Sequence, residues 1–139
     1  MEPYIYRHRV RYRECDPMGV AYHAHYLDWF EAARTEMVRT LGLPYRQLEA
    51  LGIFMPVVAA TVRYHRPAYY DDLLEIHVRI PEPPRARIRF AYLVFREGET
   101  EALASGEVVL CFLDRNRLRP IPAPEIVRQL WAHYATDPR

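Results

Sequence analysis

The residues best suited to chemistry lie in one short stretch, where an acid, a tight turn and the start of a helix follow one another. Asp16 is followed by Pro17 and Gly19, which favour a turn and let backbone approach a ligand closely. A helical pattern begins a few residues later, near Tyr22 and His23. The first N–H groups of a helix have no acceptor within it and carry the positive end of its dipole. A carboxylate beside such donors can act on a carbonyl group.

Two other kinds of chemistry are disfavoured in this stretch. His23 and His25 are two positions apart, so on a regular helix they point about 200° apart and cannot hold one metal ion. Cys15 stands next to Asp16, but nothing in the sequence predicts a lowered thiol pKa, and we expect a small buried thiol there. We therefore predict no metal site, and Glu31 on the helix is the alternative base.

The rest of the pattern predicts a long helix and several strands around this stretch. Hydrophobic spacing predicts the long helix over residues 22–41, a short second helix over residues 45–51 and a terminal helix over residues 123–134. Strands are predicted over residues 4–13, 55–66, 73–80, 85–96 and 100–113.

Three local features refine this prediction. Residues 57–60 are apolar on both faces, which predicts a central strand, and Glu97, Gly98 and Glu99 predict a tight hairpin turn. Gly106 predicts a bulge or a bend in the last strand. One strand, a helix and four further strands with short connections favour an antiparallel sheet curled over the helix, an α+β fold.

Composition sets limits on size, partners and compartment. A chain of 139 residues with 50% hydrophobic residues predicts one domain over residues 1–139. A net charge of +1 provides no field that would attract nucleic acid or an anionic membrane, so we predict neither partner. Two distant cysteines favour a reducing cytosol, and the chain shows no apolar signal core and no run of membrane-spanning length. We therefore expect a cytoplasmic protein.

The stretch from the turn into the helix also matches a known family. The matching positions are Asp16, Gly19, residues 22–24, Tyr26, residues 31–36, Tyr64, Pro67, Ala68, Asp71 and Asp72. Through them the chain resembles the 4-hydroxybenzoyl-CoA thioesterase family of hotdog-fold proteins, and within it the bacterial acyl-CoA thioesterases encoded beside the Tol–Pal system. The resemblance covers nearly the whole chain and implies a hotdog fold, in which a curled sheet of about five strands wraps the long helix.

The resemblance also implies an activity, the hydrolysis of an acyl-CoA thioester to a carboxylic acid and free CoA. Asp16 would act as nucleophile or as general base for water, two roles that the sequence leaves open. The backbone N–H of His23 would polarise the thioester carbonyl, and Gly19 and Tyr22 would contact the substrate. CoA is part of the substrate, so no separate cofactor is implied.

The CoA phosphates need cationic partners, and arginine binds phosphate through a planar fork. Candidates are Arg63 and Arg66, then Arg85, Arg87 and Arg89. Of these, Arg85 and Arg87 lie where the resembled family places basic residues near the nucleotide. The open edge of a small curled sheet favours an oligomer, and the resemblance implies a homodimer or a dimer-of-dimers homotetramer.

Other functions remain as alternatives. One is a non-catalytic subunit that binds acyl-CoA or an acyl carrier, and another is an interaction module for an envelope or phospholipid-synthesis complex. A hotdog hydratase or dehydratase is a further alternative, but residues 14–19, Glu-Cys-Asp-Pro-Met-Gly, do not match the loop of those families.

Overall fold

A computed structural model of the protein describes residues 2–136. The predicted domain, residues 1–139, also includes residue 1 and residues 137–139, which lie outside the described part. A short 3-10 turn, Tyr12–Glu14, joins the first strand to the loop that precedes the long helix. The helices and strands of residues 2–136 are β1 Tyr4–Arg9, α1 His25–Thr40, α2 Tyr45–Ala50, β2 Ile53–Phe54, β3 Val57–Tyr64, β4 Leu73–Arg79, β5 Arg87–Arg96, β6 Ala104–Cys111, β7 Leu113–Asp114 and α3 Glu125–Thr136.

Five strands of the described chain form one antiparallel sheet in the order β1-β4-β5-β6-β3. Strands β4 and β5 bury every second side chain, as their alternating sequences predict. Their buried residues are Leu74, Ile76, Val78, Ile88, Phe90, Tyr92 and Val94. This arrangement confirms the predicted α+β class, with a five-stranded antiparallel sheet packed on α1 and a helix after it.

Strand β3 is an edge strand, so the prediction of a central strand was wrong. It pairs with β6 on one side, and within residues 2–136 no strand covers its other side. Most of its side chains are exposed, and Val57 and Val58 keep 49% and 45% of their surface accessible. Apolar residues on both faces of a strand are typical of burial, but here they border an open edge.

Helix α1 fills the curve of the sheet with an apolar face that includes Trp29, Phe30 and Met37. It begins three residues later than predicted, because residues 22–24 form a turn that closes with a 3.1 Å hydrogen bond from the His25 N–H to the Tyr22 carbonyl. The helix ends as predicted before Gly42, whose φ of +96° suits glycine.

Gly106 is required by close packing. Phe30 stacks on Tyr92 with ring centroids 4.0 Å apart. A Cβ on Gly106 would lie 2.7 Å from the Phe30 ring and 2.6 Å from the Thr61 carbonyl oxygen. The sheet register runs unbroken through Gly106, so the glycine marks no bulge, and the register shift of β3 lies instead between Val57 and Ala59. Glycine at this position lets the helix and β3 approach β6.

The remaining differences concern the ends of elements. The first strand stops at Arg9, because Val10 leaves the β1–β4 register and bonds instead with Asp71 and Asp72. The predicted hairpin turn is confirmed, with Gly98 at a φ of +82°, but β6 begins only at residue 104. Strands β2 and β7 form a small second sheet that was not predicted. Among the described residues, no helix has both the length and the apolar character needed to cross a bilayer.

Candidate active site

The loop that carries Asp16 is a closed turn of residues 16–20. Cys15 and Ala21 pair as an isolated antiparallel bridge across its base, and the Asp16 N–H donates to the Val20 carbonyl at 2.9 Å. Gly19 occupies the left-handed region at a φ of +80°, and its N–H donates to the Asp16 carbonyl at 2.9 Å. The predicted turn is therefore confirmed, and Gly19 provides the left-handed backbone conformation that the turn requires.

The Asp16 carboxylate is anchored on one side only. Its Oδ1 accepts hydrogen bonds from the N–H groups of Met18 at 2.9 Å and Val20 at 3.3 Å. Its Oδ2 accepts no hydrogen bond from any donor in residues 2–136. One oxygen thus fixes the orientation of the carboxylate, while the other remains available to a ligand.

The turn before α1 supplies the predicted free donor. The Tyr22 N–H donates to the Glu14 carbonyl at 2.8 Å, whereas the His23 N–H meets no backbone or side-chain acceptor in the described chain. His23 stands two residues before α1, at the positive end of the helix dipole. An N–H in this position is suited to hold a partial negative charge on an oxygen.

Asp16 and His23 line the same surface cavity, which has a volume of about 340 Å³. Tyr26, Tyr64, His65 and Arg66 lie on its other walls. Burial raises the pKa of Tyr26 to about 12 and also raises the pKa of Tyr64, so both phenols stay protonated near neutral pH. Neither tyrosine is therefore a base in this cavity, and Asp16 is its only lining carboxylate within residues 2–136.

Glu14 holds the loop that carries Asp16 against α1, a role that was not predicted from the sequence. Its carboxylate is buried and accepts hydrogen bonds from Trp29 Nε1 at 2.9 Å, the Arg11 N–H at 2.8 Å and His8 Nε2 at 2.8 Å. Burial by itself raises the pKa of Glu14, but these hydrogen bonds outweigh it and hold the pKa below its ordinary value. The carboxylate ties the Asp16 loop to α1.

The other predicted substrate residues are scattered. Tyr22 is exposed, does not line the cavity and packs its ring against His23 at 4.2 Å. Arg63 lies on the exposed strand β3. Arg66 lines the cavity, but its guanidinium donates to Glu99 Oε1 at 3.2 Å and to the Glu101 carbonyl at 2.8 Å. The Arg66 guanidinium is therefore already partly engaged by acceptors of the same chain.

Arg85 and Arg87 lie at the opposite end of the sheet from Asp16. Arg87 pairs with Cys111, whereas Val94, at the far end of β5, pairs with Ala104 next to Tyr64. Seven residues of strand separate the two ends, which is roughly 23 Å. Arg85 there lines a larger cavity of about 440 Å³ with Arg128 and several prolines. Its greater volume does not make it the reactive site, since no carboxylate lines it.

The alternative reactive groups are placed poorly. Burial raises the pKa of the Cys15 thiol, and the nearby Glu14 and Asp16 carboxylates raise it further, so the thiol stays protonated. Glu31 lines a different groove, beside Tyr4 and Tyr6. Within residues 2–136, no three His, Cys, Asp or Glu side chains come together in a group that could hold a metal ion.

Comparison with known proteins gives a consistent result. Residues 10–130 match the model of the thioesterase-like superfamily. A putative esterase of Aquifex aeolicus is 34% identical over 86% of this chain and 92% of its own length. The acyl-CoA thioesterase YbgC of Haemophilus influenzae is 33% identical over 90% of this chain and 91% of its own length. The crystal structure of DHNA-CoA thioesterase from Staphylococcus aureus superposes with a TM-score of 0.88 at 28% identity, over 97% of this chain and 92% of that one.

The family match covers most of the chain, and the relatives are matched over nearly their full lengths. The likeness therefore concerns the whole sheet and central helix, and the resemblance seen in residues 16–36 is confirmed. By sequence and by fold, this chain belongs to the thioesterase-like superfamily of hotdog proteins.

Proposed function

We propose that this protein is an acyl-CoA thioesterase, which hydrolyses an acyl-CoA to a carboxylic acid and free CoA. The observation that carries the proposal is that Asp16 and His23 line the same cavity. Within residues 2–136, one carboxylate oxygen of Asp16 accepts no hydrogen bond and the His23 N–H donates none. Similar proteins, including one named acyl-CoA thioesterase and one named DHNA-CoA thioesterase, support the same substrate class.

In the proposed mechanism the thioester carbonyl oxygen binds the His23 N–H at the start of α1. The helix dipole and the N–H stabilise the charge that develops on this oxygen as the carbonyl carbon becomes tetrahedral. Asp16 acts in one of two ways. As a general base it takes a proton from a water whose oxygen attacks the carbon, and as a nucleophile it attacks directly and forms a mixed anhydride.

In both routes the C–S bond breaks, and the sulfur leaves as the CoA thiolate, which then takes up a proton. In the nucleophilic route, water hydrolyses the anhydride afterwards and restores the Asp16 carboxylate. A single turnover in ¹⁸O-labelled water tests for the nucleophilic route. Unlabelled acid with label in Asp16 indicates a nucleophile, whereas labelled acid is expected of a base and also of an anhydride that water attacks at its acyl carbon.

We further propose that the working unit is a homodimer, or a tetramer of two such dimers, paired along β3. An open strand edge beside exposed Val57 and Val58 readily accepts another strand. A second copy in antiparallel pairing places its residue 57 beside residue 64 of the first copy. The Arg85 and Arg87 end of the second sheet then lies at the same end as Asp16 of the first, three strand spacings or about 14 Å to the side.

This pairing gives Arg85 and Arg87 a role that they lack within one chain. In a single chain they lie at the opposite end of the sheet from the reactive pair. From a second copy, they are close enough to hold the phosphates at the far end of a bound CoA. We also propose a reducing compartment, the cytosol, which both free cysteines support.

The test is Asp16→Asn. The amide oxygen can keep the hydrogen bonds from Met18 and Val20, so the loop should hold its shape, while both base and nucleophile are lost. We expect kcat with a panel of short, long and aromatic acyl-CoAs to fall by at least ~10², while substrate binding persists.

His23→Ala is the matched control, because the main-chain donor survives the substitution and a much smaller loss follows. Each variant is first shown to have the native fold and oligomeric size. Near-normal turnover by Asp16→Asn would overturn the mechanism. Tight acyl-CoA binding with no turnover by the unmodified protein would favour a binding subunit instead.

A further inference from the structure

Tyr64 joins the open edge of the sheet to the start of the central helix. It is the last residue of β3, and its hydroxyl donates a 2.8 Å hydrogen bond to the carbonyl of His23, which lies 41 positions earlier in the chain. Its ring is held edge-on against Tyr26, with centroids 5.0 Å apart at 86°, and faces His23 in a similar way at 6.3 Å. The hydroxyl position is therefore defined by packing.

No side chain of the described residues caps the start of α1. The N-cap is Ala24, whose side chain makes no capping hydrogen bond. The turn bonds that lead into the helix are long, 3.4 Å from the Tyr26 N–H to the His23 carbonyl and 3.3 Å from the Leu27 N–H to the Ala24 carbonyl. The short bond from Tyr64 is given to a carbonyl, so it does not cap the free N–H groups, but it fixes the residue before the helix to a distant strand.

The protonation state of Tyr64 suits this task. Burial raises the pKa of the Tyr64 phenol, and near neutral pH the hydroxyl therefore remains a donor. The carbonyl that it holds belongs to the same residue as the N–H that meets no acceptor in residues 2–136. The two groups lie in neighbouring peptide planes joined at the Cα of His23, so holding the carbonyl limits the backbone rotations that would turn the N–H away.

We propose that Tyr64 is a positioning residue, whose hydroxyl holds His23 so that the N–H of that residue stays directed at the carbonyl oxygen of the substrate. The inference rests on the proposed function, since it takes the His23 N–H as the donor to that oxygen. It adds that β3, the strand at the open edge, controls the geometry of this donor. A preorganised donor is worth more than a mobile one, because it needs no rearrangement as charge develops.

The test is Tyr64→Phe, which keeps the ring and its contact with Tyr26 but removes the hydroxyl. Removing one such donor outright costs roughly 10² to 10³ in kcat, so loosening it should cost about tenfold. The thioester is bound mainly by other groups, and KM should change little. Tyr70→Phe is the matched control, because Tyr70 is exposed, lies outside the cavity and packs its ring on Tyr12.

A second readout does not depend on activity. Hydrogen–deuterium exchange at the amides of residues 23–27 should become faster in Tyr64→Phe and stay unchanged in Tyr70→Phe. Faster exchange with unchanged kcat would reduce Tyr64 to a purely structural contact and overturn the proposal, as would a rise in KM alone. If Asp16→Asn is inactive while Tyr64→Phe is fully active, this inference fails and the proposed function stands. If both variants are active, the Asp16 mechanism fails, whereas the proposed function itself fails only if the unmodified protein turns over no acyl-CoA.

Discussion

The buried Glu14 carboxylate fixes the loop that carries Asp16 against the central helix. It receives three donors, from His8, Arg11 and Trp29, within a protein interior where an unpaired charge would be costly. The hydrogen bonds hold the pKa of Glu14 below its ordinary value against the opposing effect of burial. Glu14 therefore contributes stability above its unfolded pKa of 4.5, and this contribution is lost as the pH falls through the lower folded pKa.

Glu14→Gln replaces one acceptor oxygen with an NH2 group, which is itself a donor and cannot accept the hydrogen bonds given by the neighbouring N–H groups. We expect the free energy of unfolding at neutral pH to fall by about 1–3 kcal/mol, the cost of a broken buried hydrogen bond to a charged group. As the pH is lowered through 4.5, the unmodified protein loses its advantage and the difference between the two proteins shrinks. Urea unfolding at a series of pH values measures this, and a difference that is constant with pH would contradict the assignment.

The placements of Asp16 and His23 were predictable because both depend on local signals. An acid before Pro17 and Gly19 marks a turn, and a helix start provides free N–H groups wherever it occurs. Glu14 and Tyr64 gave no such signal. Their partners, Trp29 and His23, lie 15 and 41 positions away, and only the folded sheet and helix bring them together. The catalytic roles of Asp16 and His23 stay predictions until turnover is measured.

At the scale of elements, the contact between α1 and the sheet depends on Gly106. A methyl group there would meet the Phe30 ring at 2.7 Å and the Thr61 carbonyl oxygen at 2.6 Å. The ring can shift, but the carbonyl belongs to the backbone of β3 and moves only with the strand. The spacing of helix and edge strand is therefore coupled at this one position.

Gly106→Ala should destabilise the protein by about 1–3 kcal/mol, the usual cost of overpacking a close contact. Displacing β3 should also move Tyr64, so a drop in kcat should accompany the loss of stability. Thermal unfolding and steady-state kinetics measure the two effects. Gly98→Ala is the comparison, because its cost comes from a φ of +82° in an exposed turn with no Cβ contact. It should lower stability and leave kcat unchanged, and equal kinetics in both variants would rule out the coupling.

The sequence was informative about elements whose burial is regular. Alternation in β4 and β5 reflects one buried face, and the aromatic stripe of α1 reflects the same core. It misled at β3, because an apolar run favours burial but does not determine whether the strand lies at the centre or at the edge of the sheet. Residues 57–60 satisfy the pattern of a central strand within one chain, although they form its edge.

At the scale of the whole molecule, the proposed dimer joins residues of two copies in each site. The prediction uses heterodimers in which one subunit carries Asp16→Asn and the other carries Arg85→Ala with Arg87→Ala, purified through two different tags. If Asp16 works with the arginines of the other subunit, one of the two sites is intact and the other has both defects. We then expect kcat/KM for acyl-CoA at about half the unmodified value, because one site in two is complete.

A site built within one chain predicts a different kcat/KM for the heterodimer. If each site uses the arginines of its own chain, the heterodimer only averages the two parent homodimers. A pantetheine thioester, which lacks the nucleotide, is the control substrate, and its turnover should be insensitive to the arginine substitutions. Equal sensitivity of both substrates would make the arginines structural, and a fully active monomer in sedimentation would end the dimer proposal.

The open edge of β3 also affects the life of the chain before it is assembled. Within residues 2–136 no strand pairs with the outer side of β3, so a newly made copy presents an open strand edge beside Val57 and Val58. Such an edge accepts any extended polypeptide, so unfolded neighbours compete for it with properly folded copies. The faster that identical folded copies meet, the smaller the fraction of the protein that is lost to aggregates. Conditions that keep the local concentration of folded copies high, with few unfolded chains nearby, should therefore give the best yield.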